Sequence, residues 1–120
     1  MKTITEIAQR LVTLLNQQQF VQAYQELFNE NAESIDPIYH DQPTLKRLTQ
    51  LIEREEAFLS KTDIHSINVS EPLFAGNYVT INLSMTFTSA GQERKKIEEL
   101  CVYKVEAGKI ICQQFFISTN

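Results

Sequence analysis

The chain has 120 residues, of which 42% are hydrophobic and 22% charged, with a formal net charge of −4, values that fit one globular domain over residues 1–120 with a packed core. Its longest basic run is Arg94-Lys95-Lys96, too short for a phosphate-backbone footprint, so nucleic acid is not an expected partner. No apolar run approaches the roughly 20 residues of a membrane helix, and the opening MKTITEIAQRLVTLL lacks the unbroken apolar region of a secretory signal, so a cytoplasmic location with no membrane partner is expected.

The chain opens with a helix. Thr3 and Glu6 have capping-box spacing, and Ile4, Ile7, Ala8, Leu11, Leu14 and Leu15 fall on one helical stripe. The phase breaks near Asn16–Gln19. A second helix carries Phe20, Ala23, Tyr24, Leu27 and Phe28 at helical spacing. These stripes read as one apolar seam between two hairpin-paired helices. Pro37 and Pro43 exclude helix from the next stretch, and Glu33-Ser34-Ile35-Asp36 reads as a short strand. A third helix is expected from near Thr44, with Leu45, Leu48, Leu51, Ile52, Phe58 and Leu59 on its buried face.

From Lys61 the period becomes two. Ile67, Val69 and Leu73 share one face of a first long strand, and by the same alternation His65 points inward. Gly76-Asn77 turns the chain. In the next strand Val79, Ile81, Leu83, Met85 and Phe87 alternate with polar residues. Gly91 marks another turn. The last two strands meet at Ala107-Gly108. A three-residue turn there pairs Val105 with Lys109, Tyr103 with Ile111, Cys101 with Gln113 and Glu99 with Phe115. That register puts Glu99, Cys101, Tyr103, Gln113 and Phe115 on the inner face. Leu100, Val102, Ile110 and Phe116 then form an apolar outer patch, which a homodimer would cover. Cys101 and Cys112 fall on opposite faces as free thiols. A two-residue turn would place them on the same face. The order is three helices followed by a strand meander, an α+β arrangement with helices on one face of a curved sheet.

Three segments sharpen this reading: Ala32-Glu33-Ser34-Ile35-Asp36-Pro37, Val69-Ser70-Glu71-Pro72-Leu73, and Glu98-Glu99-Leu100-Cys101-Val102-Tyr103 running into Gly108-Lys109-Ile110. With the element order they resemble the nuclear transport factor 2-like superfamily, and within it the SnoaL-like domains, over about Ile7 to Ser118. The resemblance implies a cone-shaped fold: three N-terminal helices packed on a curved, mostly antiparallel sheet, with a pocket at the wide end. The family includes polyketide cyclases, ketosteroid isomerases, dehydratases, epoxide hydrolases and many members without known activity, so fold alone assigns no reaction.

The resemblance places Asp36 where the isomerases carry their general base; as a residue before proline it also suits a turn. The isomerases' tyrosine and acid correspond to Leu11 and Cys101, which cannot build the same oxyanion site. Glu99 on an apolar face requires a partner, water or a raised pKa, and His65, Tyr103, Gln113 and Tyr39 are the candidate partners. Asp36, His65 and Glu99 are thus the candidate catalytic residues, or else structural ones. Tyr39, Phe58, Met85, Cys101, Tyr103, Gln113 and Phe115 are expected to line the pocket. No ligand spacing calls for a metal, and no glycine-rich loop calls for a cofactor. Three functions stand: a domain binding a small apolar or partly polar molecule, a general acid/base enzyme of the cyclase, isomerase or dehydratase kind, and a non-catalytic dimerisation module.

Overall fold

The computed structural model describes residues 1–118. Helix α1 (Ile4–Asn16) begins at a complete capping box: the Thr3 and Glu6 backbone N–H groups donate to each other's side-chain oxygens at 2.9 and 3.1 Å. Its Ile7, Ala8, Leu11, Leu14 and Leu15 are buried. Removing each large one from water contributes about 1.5–3 kcal/mol. Helix α2 (Phe20–Leu27) buries Phe20, Ala23 and Leu27. The chain then turns extended at Phe28, so that residue opens strand β1 (Phe28–Ile35) instead of ending the helix.

Strand β1 pairs in parallel with the last strand, β7 (Lys109–Ser118), and antiparallel with β2 (Thr44–Lys46). The third helix therefore starts later than the sequence suggests: α3 runs Leu48–Ser60, and Leu45 is buried in a strand, opposite Ser34. Strand pairing supplies the hydrogen bonds that local propensity would have given to a helix turn. The remaining strands are β3 (Thr62–Val69), β4 (Leu73–Ala75), β5 (Tyr78–Ser89) and β6 (Lys95–Glu106). The seven-stranded sheet has the order β2-β1-β7-β6-β5-β3, with β4 on the edge of β5. Leu73 does not continue β3. It lies in β4, 69% exposed, after Ser70-Glu71-Pro72 breaks the strand.

Alternation in β5 holds throughout: Val79, Ile81, Leu83, Met85 and Phe87 are all buried. Facing β5, the inner side of β6 buries Ile97, Cys101, Tyr103 and Val105. The helices cover this concave face, which is the curved, largely antiparallel α+β cone expected.

The closing hairpin differs in detail. Its turn has two residues, Ala107 and Gly108, with φ of 50° and 75° and Glu106 opposite Lys109. Those left-handed values match a type I′ turn. Val105 then faces Ile110, but Lys104 faces Cys112, so Ile111 is the extra residue of a bulge. Turn and bulge each shift the register by one. Tyr103 consequently stands opposite Gln113 and Cys101 opposite Phe115, two residues from the expected pairing. Because side chains alternate with period two, the inner set past the bulge is unchanged. Ile110 is the exception: it is completely buried, not part of the outer patch. Cys101 is buried and Cys112 partly so, both free, and the bulge keeps them on opposite faces despite the two-residue turn.

Candidate functional site

Between the helices and the concave sheet lies a cavity of about 710 Å³. Its walls are mostly apolar and aromatic, drawn from all three helices and from β5, β6 and β7. Phe58 and Phe87 meet edge-on at 5.5 Å, and Phe28 and Tyr103 at 6.4 Å, which fixes the rings as a firm lining.

Three carboxyl side chains line this cavity: Asp36, Glu55 and Glu99. Asp36 follows β1. Its Oδ1 accepts from the Ile38 N–H at 3.1 Å, and its own N–H donates to the Pro43 carbonyl at 2.8 Å. Asp36 therefore shapes the turn and borders the cavity as well. Burial raises its pKa, against the lowering pull of the Ile38 N–H and the Arg54 guanidinium. Glu99 points inward from β6, where its Oε2 accepts from the Cys101 thiol at 3.6 Å. Burial, then the charges of Asp36 and Glu55, push it up to about 7, with the thiol bond opposing. Glu55 also reaches about 7, through burial and then Asp36, with Arg54 opposing. Ion pairs among the described residues involve Glu26 and Glu106, not these three acids. Arg54 is engaged elsewhere: its guanidinium stacks 4.1 Å from the Tyr39 ring centre, and Nη1 donates to the Gln42 carbonyl at 3.1 Å. Burial in turn pushes the Tyr39 phenol up to about 12.

A second polar group sits deeper. Gln113, 3% exposed, donates from Nε2 to the Tyr24 hydroxyl at 2.8 Å and to the Ser34 hydroxyl at 2.9 Å. These bonds tie α2, β1 and β7 together across the cavity floor. The Tyr24 oxygen acts as acceptor there, which leaves its proton available to a ligand. Burial raises the pKa of both Tyr24 and Tyr103, so both phenols stay protonated.

Of the residues singled out from sequence, Asp36, Tyr39, Phe58, Met85, Glu99, Tyr103, Gln113 and Phe115 line the cavity. His65 does not. It is exposed on the outer side, with Nε2 2.8 Å from Thr88 Oγ1. A bulge between Ile64 and Ser66 reverses the alternation, so Ile64 turns towards the core in place of His65. Cys101 lies behind the cavity wall, fully buried, and burial raises its pKa. Leu11 lines the cavity without any hydrogen-bonding capacity. Among the described residues no group of three or more His, Cys, Asp or Glu is arranged to hold a metal ion.

Sequence reasoning missed Glu55, Arg54 and the cavity role of Tyr24. The signal for Glu55 was present: it falls on the apolar stripe of α3 with Leu48, Leu51, Ile52, Phe58 and Leu59. An acid at such a position faces the interior as surely as its apolar neighbours.

A family model for the SnoaL-like domain matches residues 2–117. The chain belongs to the SnoaL-like domain family. Among solved structures, this SnoaL-like domain is similar to a protein of Mesorhizobium loti provisionally described as a SnoaL-like polyketide cyclase. That match has a TM-score of 0.90 at 22% identity, over 96% of this chain and 99% of that one. A protein of Jannaschia with the same provisional description gives 0.74 at 12% identity, over 98% and 90% of the two chains. A nuclear transport factor 2-like protein of unknown function from Burkholderia pseudomallei gives 0.79 at 9%, over 99% and 93%. At such identities the likeness is one of fold. Among curated proteins none matches this sequence.

Proposed function

We propose that this SnoaL-like domain binds a small, partly apolar molecule in the cavity beneath its helices. The observation that carries the reading is the cavity itself: about 710 Å³ of space with aromatic walls and three carboxyl groups. A volume of that order suits a small-molecule ligand. Native mass spectrometry of the freshly purified protein tests it. A mass excess that disappears on denaturation is the expected result; a bare mass, with no stabilisation by any member of a small-molecule library, overturns the reading.

A second reading is general acid/base catalysis on that ligand, with Asp36 and Glu99 as the proton-transferring groups. It is supported by the position of Glu99 at about 7, where a carboxyl can both give and accept a proton near neutral pH. Glu55 joins them as the group that holds a proton near Glu99. His65 has no part in this reading, because it lies outside the cavity. The cyclase descriptions of the Mesorhizobium and Jannaschia proteins fit such chemistry. Exchange of a substrate's acidic C–H proton for deuterium, lost in Glu99→Gln, would distinguish catalysis from binding.

The domain further pairs with a second copy through its outer sheet face. Leu100 and Phe116 are directly opposite neighbours on β6 and β7, 45% and 52% exposed, with Val102 beside them. Ile110 is removed from that patch. A cytoplasmic location is consistent with the two free thiols; no helix among the described residues is long and apolar enough to cross a membrane.

A further inference from the structure

We infer that the ligand of this cavity is an organic cation: an amine, protonated at neutral pH, on an apolar body of roughly aromatic size. The inference rests on reading the cavity as a ligand site. Its basis is the mismatch between the charges that line the interior and the partners they have. Asp36, Glu55 and Glu99 reach the cavity from the end of β1, from α3 and from β6. Among the described residues none forms an ion pair, and Glu55 has no side-chain hydrogen-bond donor. The interior cation, Arg54, is held on the Tyr39 ring and the Gln42 carbonyl, and its charge offsets only part of the burial cost of Asp36 and Glu55. Buried carboxyl groups without a counter-charge are costly when ionised. A cationic guest supplies that counter-charge.

An independent group points to the same ligand. Both amide hydrogens of Gln113 are committed, to Tyr24 and Ser34. Among the described residues its Oε1 has no donor, yet no fully buried side-chain oxygen or nitrogen there lacks a partner. That oxygen therefore opens onto the cavity that Gln113 lines, an acceptor waiting for an N–H group. The aromatic walls add a third element, since aromatic ring faces attract cations. The other charged groups lining the space are Arg94, just before β6, and Lys95 and Lys96 at its start, all exposed. There solvent screens them. They favour a polar or acidic far end on the guest.

Three isosteric probes test this by calorimetry at pH 8: 2-phenylethylamine, the neutral 2-phenylethanol and the anionic 3-phenylpropanoate. The expected result is an amine bound about tenfold or more tightly than either isostere, the factor that one charge-assisted contact contributes. In Glu55→Gln/Glu99→Gln the amine's advantage over the alcohol should shrink, Asp36 being the carboxyl that remains; an undiminished advantage would overturn the assignment. Amine affinity should also weaken from pH 8 to pH 5 as the carboxylates gain protons, with no such trend for the alcohol. If the alcohol or the propanoate binds as tightly as the amine, the cavity is a ligand site but the cation assignment is wrong. If no probe binds at millimolar concentration, the cation assignment fails, and the ligand-site reading is decided separately by the native mass.

Discussion

Replacing Glu55 with Gln should make the domain more stable at pH 8 and leave it nearly unchanged at pH 4.5. In the folded state the Glu55 carboxyl titrates near 7 in place of its ordinary 4.5, chiefly because burial penalises its charge. The folded state thus holds a proton that the unfolded chain has released between those two pH values. Stability associated with this group is fully present below pH 4.5, falls as pH rises through about 7, and changes no further above that. At about 1.36 kcal/mol per pH unit the whole displacement is worth about 3 kcal/mol. The cavity admits water to the carboxyl, so about 2 kcal/mol is a sounder expectation. Gln keeps the shape and never ionises, so it removes this loss. The measurement is urea unfolding followed by far-ultraviolet circular dichroism, on both proteins, from pH 4.5 to 8.5. The two curves should converge at the acid end and separate between pH 4.5 and about 7, with the variant about 2 kcal/mol more stable at pH 8. Equal stabilities at pH 8, or a wild-type protein that gains stability from pH 5 to 8, would refute the claim that burial outweighs the Arg54 charge at this carboxyl.

Other substitutions probe other parts of the argument. Gln113→Leu should cost about 1–3 kcal/mol, because the completely buried Ser34 hydroxyl loses its side-chain partner; adding Ser34→Ala should recover part of that loss, and an additive double variant would contradict the coupling. Arg47 precedes α3 at φ 119° and ψ 132°, a conformation that disfavours any side chain, so Arg47→Gly should raise stability by about 1 kcal/mol net of its added chain entropy. A lower melting temperature for that variant would show that no strain is released. Light scattering should find a dimer that Leu100→Asp with Phe116→Asp converts to a folded monomer, and an unchanged mass would exclude the outer face as the interface.

Local signals in the sequence were sufficient for the elements whose partners are near in the chain. The Thr3–Glu6 box fixes where α1 starts because both its hydrogen bonds span only three residues. The strict alternation of β5 fixes which side of the strand is buried, and the inward position of Glu99 follows from the same period in β6. What depended on distant pairing was not legible. Phe28 leaves the helical pattern of α2 because β7, more than eighty residues on, offers a parallel partner. His65 leaves the interior because one unpaired residue in β3 reverses the alternation, and no composition marks that bulge. The hairpin turn was misread by one residue and its bulge compensated, so the inward set survived while Ile110 changed sides. The acid site divides in the same way. The stripe of α3 determined that Glu55 faces inward, and the strand period determined that Glu99 does. Only the closure of the sheet around the helices brought these two carboxyls and Asp36 to one cavity, because their shared environment is a property of packing between elements and not of any one of them.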